Sequence, residues 1–205
     1  MGTTTMCSVV MRRRATSGFT LVEILIVISI ISVLAGMVLV GVQHARTAAN
    51  GALVKTTVSD MTNAVERYVQ DEGEYPGMEL DADAERNDFP ILYTALFGEP
   101  RPRGKGGRSA PYTNPNEDNI AVYDESLSDY RTPDNAELYD EDVAKFIRDP
   151  WGEPYVYRAN KGKRRADHDF MHNPTVDIYS KGPDGIDQTA LGESADGEND
   201  DIGNW

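Results

Sequence analysis

A run of 23 residues, positions 19–41, carries a single ionisable side chain, Glu23. As a helix, that length spans the hydrocarbon core of a bilayer. Arg12, Arg13 and Arg14 precede the run, and basic residues stay on the cytoplasmic side, so the rest of the chain is expected to be exported. An acid at membrane depth costs roughly 2.5 to 3.5 kcal/mol on insertion scales, so its default reading is a paired, functional group. The helix offers it no partner, because no Lys, Arg or His lies between positions 19 and 43. A free amine at Phe19, one helical turn earlier on the same chain or on a neighbouring one, would serve. Such an amine exists only if the chain is cut after Gly18.

The residues that carry this pattern, "GFTLVEILIVISIISVLAG" after a short basic leader, resemble the class III signal of type IV pilins and pseudopilins. Gly18, Phe19, Thr20, Leu21 and Glu23 all match. The resemblance implies that a prepilin peptidase cuts after Gly18 and N-methylates Phe19, leaving the apolar helix attached. Three simpler readings stand beside it. An ordinary signal peptide would be cut after Ala35 in "VLAG", a lipoprotein would need Cys at Gly36 or Met37, and an uncleaved anchor would need neither. None of the three accounts for Glu23 at its spacing.

Beyond the span, Val54, Val58, Met61, Val65, Tyr68 and Val69 recur at steps of three and four, the mark of one buried helical stripe. All 11 prolines lie at Pro76 or later, so nothing before residue 76 forces a kink. The expectation is a helix of roughly 80 Å, its first half apolar on all sides and its second half a spine for the exported part. Gly36, Gly41 and Gly51 are its weak points. Many type IV pilins have a proline in the apolar half, and its absence here favours a pseudopilin.

Charge narrows the partners. The chain has 34 Asp and Glu against 20 Lys and Arg, and only the three arginines belong to the leader. An exported part this acidic repels nucleic acid and anionic lipid, and makes cation binding plausible. The one cysteine, Cys7, falls in the leader, so no disulfide staples the exported part.

Residues 76–148 read as a loop-rich region, with short helices at most through "FPILYTALFG" and "AELYDEDVAKFI". The acidic stretch 79–85 and the basic stretch 101–108 read as solvated loop charge. Next, "DPWGEPYVYRA" and "TVDIYSK" predict an antiparallel hairpin, with Pro154 suited to the start of an edge strand. His168 and His172 stand four apart, but Asn173 and Pro174 argue against a helix and no HExxH is present, so they read as loop residues.

A second resemblance covers the other end of the chain. "DPWGEPYVY", "VDIYSKGPDG" and "DDIGNW" follow in the order found in the major pseudopilin of type II secretion systems. Residues 77–148 are longer and more polar than that family's usual connector. The expected fold is α+β and pilin-like: a long N-terminal helix packed on a small C-terminal antiparallel sheet. The expected divisions are leader 1–18, membrane or filament-core helix 19–41, spine 42–75, variable region 76–148, and hairpin with acidic loop 149–205. The implied function is a structural subunit that polymerises with copies of itself into a periplasmic pseudopilus. The implied partners are prepilin peptidase, other pseudopilins, the inner-membrane assembly platform and, before assembly, the membrane, but no nucleic acid. No spacing typical of nucleophilic or metal catalysis occurs, so the chain reads as a non-enzyme. The alternatives are a minor pseudopilin, a type IV pilin, or a membrane-anchored calcium-dependent binding module or hydrolase.

The tail is acidic: Asp184, Asp187, Glu193, Asp196, Glu198, Asp200 and Asp201 occur after Gly182, with no Lys or Arg. Composition alone favours a disordered tail, although a loop with this many carboxylates also has the oxygens calcium needs. By resemblance, calcium is expected on Asp184, Asp200 and Asp201, with backbone carbonyls near Ser180 and Lys181, and Asp187 and Asp196 as uncertain extras. Such an ion would tie the tail to the hairpin and bury Trp205.

Overall fold

The computed structural model describes residues 19–78, 86–97, 111–160, 171–191 and 199–205. It contains two compact units that meet after His44, and each is described by itself. Helix α1, Leu21–Glu72, contributes to both. It begins on a reciprocal cap: the Thr20 amide and hydroxyl both donate to Glu23 Oε2 at 2.8 Å, and the Glu23 amide donates to Thr20 Oγ1 at 3.2 Å. This is the Thr-x-x-Glu capping box, which satisfies amides that a helix start otherwise leaves without partners.

In the unit that starts at Ala45, α1 buries the expected stripe: Val54, Val58, Met61 and Val65, with Ala64 beside them. Tyr68 and Val69 pack at its edge. The stripe meets α2, Phe89–Phe97, which buries Phe89, Leu92 and Leu96 on one face. The "FPILYTALFG" helix is therefore present.

Two three-stranded antiparallel sheets complete the unit. In the first, β1 (Ile120–Asp124) lies between β2 (Asp129–Arg131) and β3 (Lys145–Ile147), with Ile120 opposite Ile147 and Tyr123 opposite Tyr130. Here the structure corrects the sequence reading. "AELYDEDVAKFI" is not one helix: α3 covers only Asn135–Tyr139, and the run ends as strand β3. A capping box at Asp134 starts α3, and an Asx turn from the Asp142 amide to Asp140 Oδ1, 2.9 Å, follows its end. Tertiary packing decides the rest, since Phe146 meets Tyr130 edge-on at 5.0 Å and stacks with Phe89 at 6.4 Å. Residues 76–148 thus contribute a sheet where loops were expected.

The second sheet holds the expected hairpin. Strand β4 (Val156–Ala159) pairs with β5 (Val176–Ser180), and β6 (Ile202–Gly203) adds on the far side of β5. Pro154 precedes β4 and bridges Arg148, joining the two sheets. The free edge of β4 is covered by Asn87, whose side chain accepts from the Tyr157 amide at 3.0 Å and donates to the Tyr155 carbonyl at 2.9 Å. Asn204 extends the opposite edge: its Oδ1 accepts from the Ile178 amide at 3.1 Å and its amide donates to the Ile178 carbonyl at 3.2 Å. Covered edges remove the unpaired backbone groups that invite strand addition.

Candidate functional site

Two places carry chemistry. The first is the start of α1. Gly18 lies outside the described residues, and Phe19 is 82% exposed. Every residue from 19 to 49 with a described side chain is exposed, although most of the first 23 are apolar. An uncovered apolar surface of this extent marks a lipid or protein contact. By length and composition the helix can cross a membrane. The polar groups within the run are satisfied locally: Ser29 and Ser32 donate to the Leu25 and Ile28 carbonyls at 2.7 Å, and Thr20 is held in the cap. Glu23 alone keeps spare capacity, because Thr20 occupies Oε2 and nothing among the described residues occupies Oε1. Thr20 was missed as a partner of Glu23 at the sequence level, although Thr-x-x-Glu before an apolar run is a recognised signal.

The second place is the acidic C-terminal loop, of which residues 182–191 and 199–205 are described. Short helix α4, Gln188–Leu191, sits among the acids. Asp184 accepts from the Ile186 amide at 2.8 Å through Oδ1 and from Gln188 Nε2 at 2.7 Å through Oδ2. Asp201 Oδ2 accepts from the amide and hydroxyl of Thr189, both at 2.6 Å. Asp200 Oδ1 and Asp201 Oδ1 are buried with no partner. Burial raises the pKa of Asp200, and the Asp184 charge raises it further. Burial raises Asp201 as well, with the Thr189 bonds pulling the other way.

The loop is anchored by the neighbouring "DPWGEP" turn. Asp149 Oδ1 accepts from the Trp151 amide at 2.9 Å and the Glu153 amide at 3.0 Å, while Oδ2 accepts from the Ser180 hydroxyl. Ser180 Oγ in turn accepts from the Gly182 amide at 3.1 Å. Gly182 has φ +72, and a Cβ there would stand 2.6 Å from the Asp200 carbonyl oxygen and 2.8 Å from its carboxyl carbon. Only glycine lets Asp200 approach this closely.

The structure thus brings Asp184, Asp200 and Asp201 into one loop system. Asp187 is used elsewhere, on Arg158 and Tyr179, and Asp196 lies outside the described residues. Among the described residues no group of three His, Cys, Asp or Glu side chains is already gathered as a metal cage. The two orphaned oxygens nevertheless suit a cation, since buried carboxylate oxygen without a donor is costly. Trp205 is half-exposed rather than buried, with its ring stacked on His172 at 3.8 Å. His168 lies outside the described residues.

Residues 13–39 match the prokaryotic N-terminal methylation motif. The chain is 28% identical to type II secretion system core protein G of Pseudomonas aeruginosa over 196 residues, 95% of this chain and 99% of that protein. Core protein G of Aeromonas hydrophila is 26% identical over 197 residues, 95% of this chain and 96% of its own length. That of Klebsiella michiganensis matches to the same extent, at 26%. Along 95% of its length the chain is similar to type II secretion system core protein G. The pseudopilin resemblance read from its two ends therefore extends through the middle, and the α+β architecture agrees with it: one long helix on small antiparallel sheets.

Proposed function

We propose that the chain is a structural subunit of a type II secretion pseudopilus, polymerising to drive export of folded proteins. The observation that carries this reading is the similarity to core protein G along 95% of the chain, starting from a methylation motif at residues 13–39. In this reading the leader stays cytoplasmic, and prepilin peptidase cuts between Gly18 and Phe19 and methylates the new amine. The apolar part of α1 then rests in the inner membrane, with the unit from Ala45 onward in the periplasm. On assembly, the exposed apolar surface exchanges lipid for the helices of other copies. Other pseudopilins and the inner-membrane platform are the further partners, and the role asks no catalysis of the chain.

Glu23 is assigned to subunit pairing. Its Oε2 belongs to its own helix cap, leaving Oε1 for the Phe19 amine of an adjoining copy. Removing one member of a desolvated pair strands the other, at roughly 3 to 5 kcal/mol. When the full chain is expressed with its secretion machinery, Glu23→Ala should keep insertion and cleavage but lose the crosslinked ladders and surface fibres of the parent. Normal fibres from Glu23→Ala would contradict the assignment.

The acidic loop is assigned to calcium, held by Asp184, Asp200 and Asp201. The support is the pair of orphaned buried oxygens and the mutual repulsion of the acids. When bound, the ion supplies the positive charge that offsets this repulsion and links the C-terminal segment to the end of β5. A ligand that binds only the folded state raises the melting temperature by mass action. Calcium should therefore raise it and EDTA lower it for the full chain in detergent, with Asp184→Ala erasing the difference. A melt indifferent to both would contradict the site.

A further inference from the structure

We propose that Arg158, acting through Asp187, is a positioning residue of the acidic loop: it locks α4 so that Gln188 and Thr189 hold Asp184 and Asp201 in place for a cation. This inference rests on the calcium assignment.

Arg158 sits on β4 at 2% exposure, a charge that cannot be left unpaired at that depth. Its cross-strand neighbour is Asp177. The Asp177 carboxylate accepts from the His172 amide at 2.7 Å and the Asn173 amide at 2.8 Å. Arg158 reaches the other way. Its Nη2 meets Asp187 Oδ2 at 2.8 Å, its Nη1 donates to the Tyr179 hydroxyl, and its Nε donates to the Arg86 carbonyl at 3.4 Å. The Tyr179 hydroxyl donates onward to Asp187 Oδ1 at 2.7 Å. Asp187 is thus gripped through both oxygens by two side chains fixed in the core sheet.

The grip reaches α4. Asp187 Oδ1 also accepts from the Ala190 amide at 2.8 Å, which caps the helix. The two residues between them are the ones that touch the acids: Gln188 donates to Asp184, and Thr189 donates twice to Asp201. Gln188 and Thr189 are 5% and 3% exposed, so neither side chain is free to wander. The arrangement leaves Asp201 Oδ1 and Asp200 Oδ1 without protein donors. It also sets Asp187, an acid in the middle of the loop, to a different task from its neighbours: both its oxygens are already engaged.

Simple electrostatics and positioning predict opposite signs for one substitution. Deleting the Arg158 charge near a cation site should tighten calcium binding if charge alone matters. If Arg158 positions the loop, Arg158→Met should weaken it, by about ten-fold or more, the scale seen when groups behind metal ligands are removed. The test titrates the purified full-length chain in detergent with calcium, and with terbium read by luminescence lifetime in H2O and D2O, which counts waters on the bound ion. The charge-balanced double variant Arg158→Met, Asp187→Leu guards against a fold lost to an unpaired buried charge. Both variants should bind more weakly, with at least one additional water on terbium, while Arg158→Lys recovers part of the affinity. Affinity and water count equal to the parent in the double variant, or tighter binding by Arg158→Met, would overturn the inference and leave the calcium assignment standing. A parent chain that bound neither ion would overturn both.

Discussion

Replacing Gly182 by alanine tests how closely the turn after β5 and the C-terminal segment depend on each other. Two costs add. A residue with a Cβ held at φ +72 pays roughly 1 to 2 kcal/mol for the left-handed conformation. The new methyl would then meet the Asp200 carbonyl oxygen at 2.6 Å, its carboxyl carbon at 2.8 Å and Oδ2 at 2.9 Å. The first of these is backbone and cannot rotate away, so about 1 to 3 kcal/mol of overpacking follows. The sum, about 2 to 5 kcal/mol, corresponds to a melting temperature lower by about 4 to 20 °C for a unit of this size. Calorimetry on the full chain in detergent measures it. Gly152→Ala is the internal control, with φ +102 but nothing within 4 Å of the added Cβ, so it should pay only the conformational share. Because the clash falls on Asp200, Gly182→Ala should also shrink the stabilisation by calcium, and Gly152→Ala should not. Equal melting of the two variants would refute the close approach of Asp200 to the turn.

Leu92 is fully buried in the hydrophobic core, so Leu92→Ala should cost about 2 to 5 kcal/mol in denaturant unfolding; a loss under about 1 would mean that α2 is not part of the core. Arg131 binds Glu137 through Nη1 at 2.7 Å and Asp124 through Nε at 2.8 Å. A Ser126 hydrogen bond and then Arg131 lower Asp124 to about 2, and Arg131 lowers Glu137 to about 2. Depressed acids contribute stability that is present above their unfolded values, near 4, and lost as pH falls through about 2. The stability difference between the parent and Arg131→Met should therefore be full at neutral pH and vanish toward pH 2; a difference independent of pH would show that the ion pairs contribute nothing.

What could be read beforehand was local. The stripe from Val54 to Val69 shows because a proline-free helix repeats every three to four residues, and the β4–β5 hairpin shows because β-rich runs flank a polar loop. Strand β3 was hidden, since the three residues that form it follow an acidic, helix-like stretch and are claimed by β1 more than 20 residues earlier. Charges were harder still. Asp187 is one acid among seven in composition, and only the fold sets it against Arg158, 29 residues away. Asn204 looks like a polar tail residue until it is seen filling the backbone of β5. Glu23 was legible as an anomaly, but its bond to Thr20 shows that its carboxylate serves its own helix before it serves a neighbour.

The central claim is that this chain is processed and assembled as a pseudopilin, and the mass of the mature N-terminal peptide tests it most directly. Membrane fractions from cells that carry the secretion machinery would be digested and the first residue identified. The account predicts a chain that begins at N-methylated Phe19 and retains Glu23. A mature chain beginning at Gly36, as an ordinary signal peptide would leave it, or one that still carries the leader through Gly18, would contradict it.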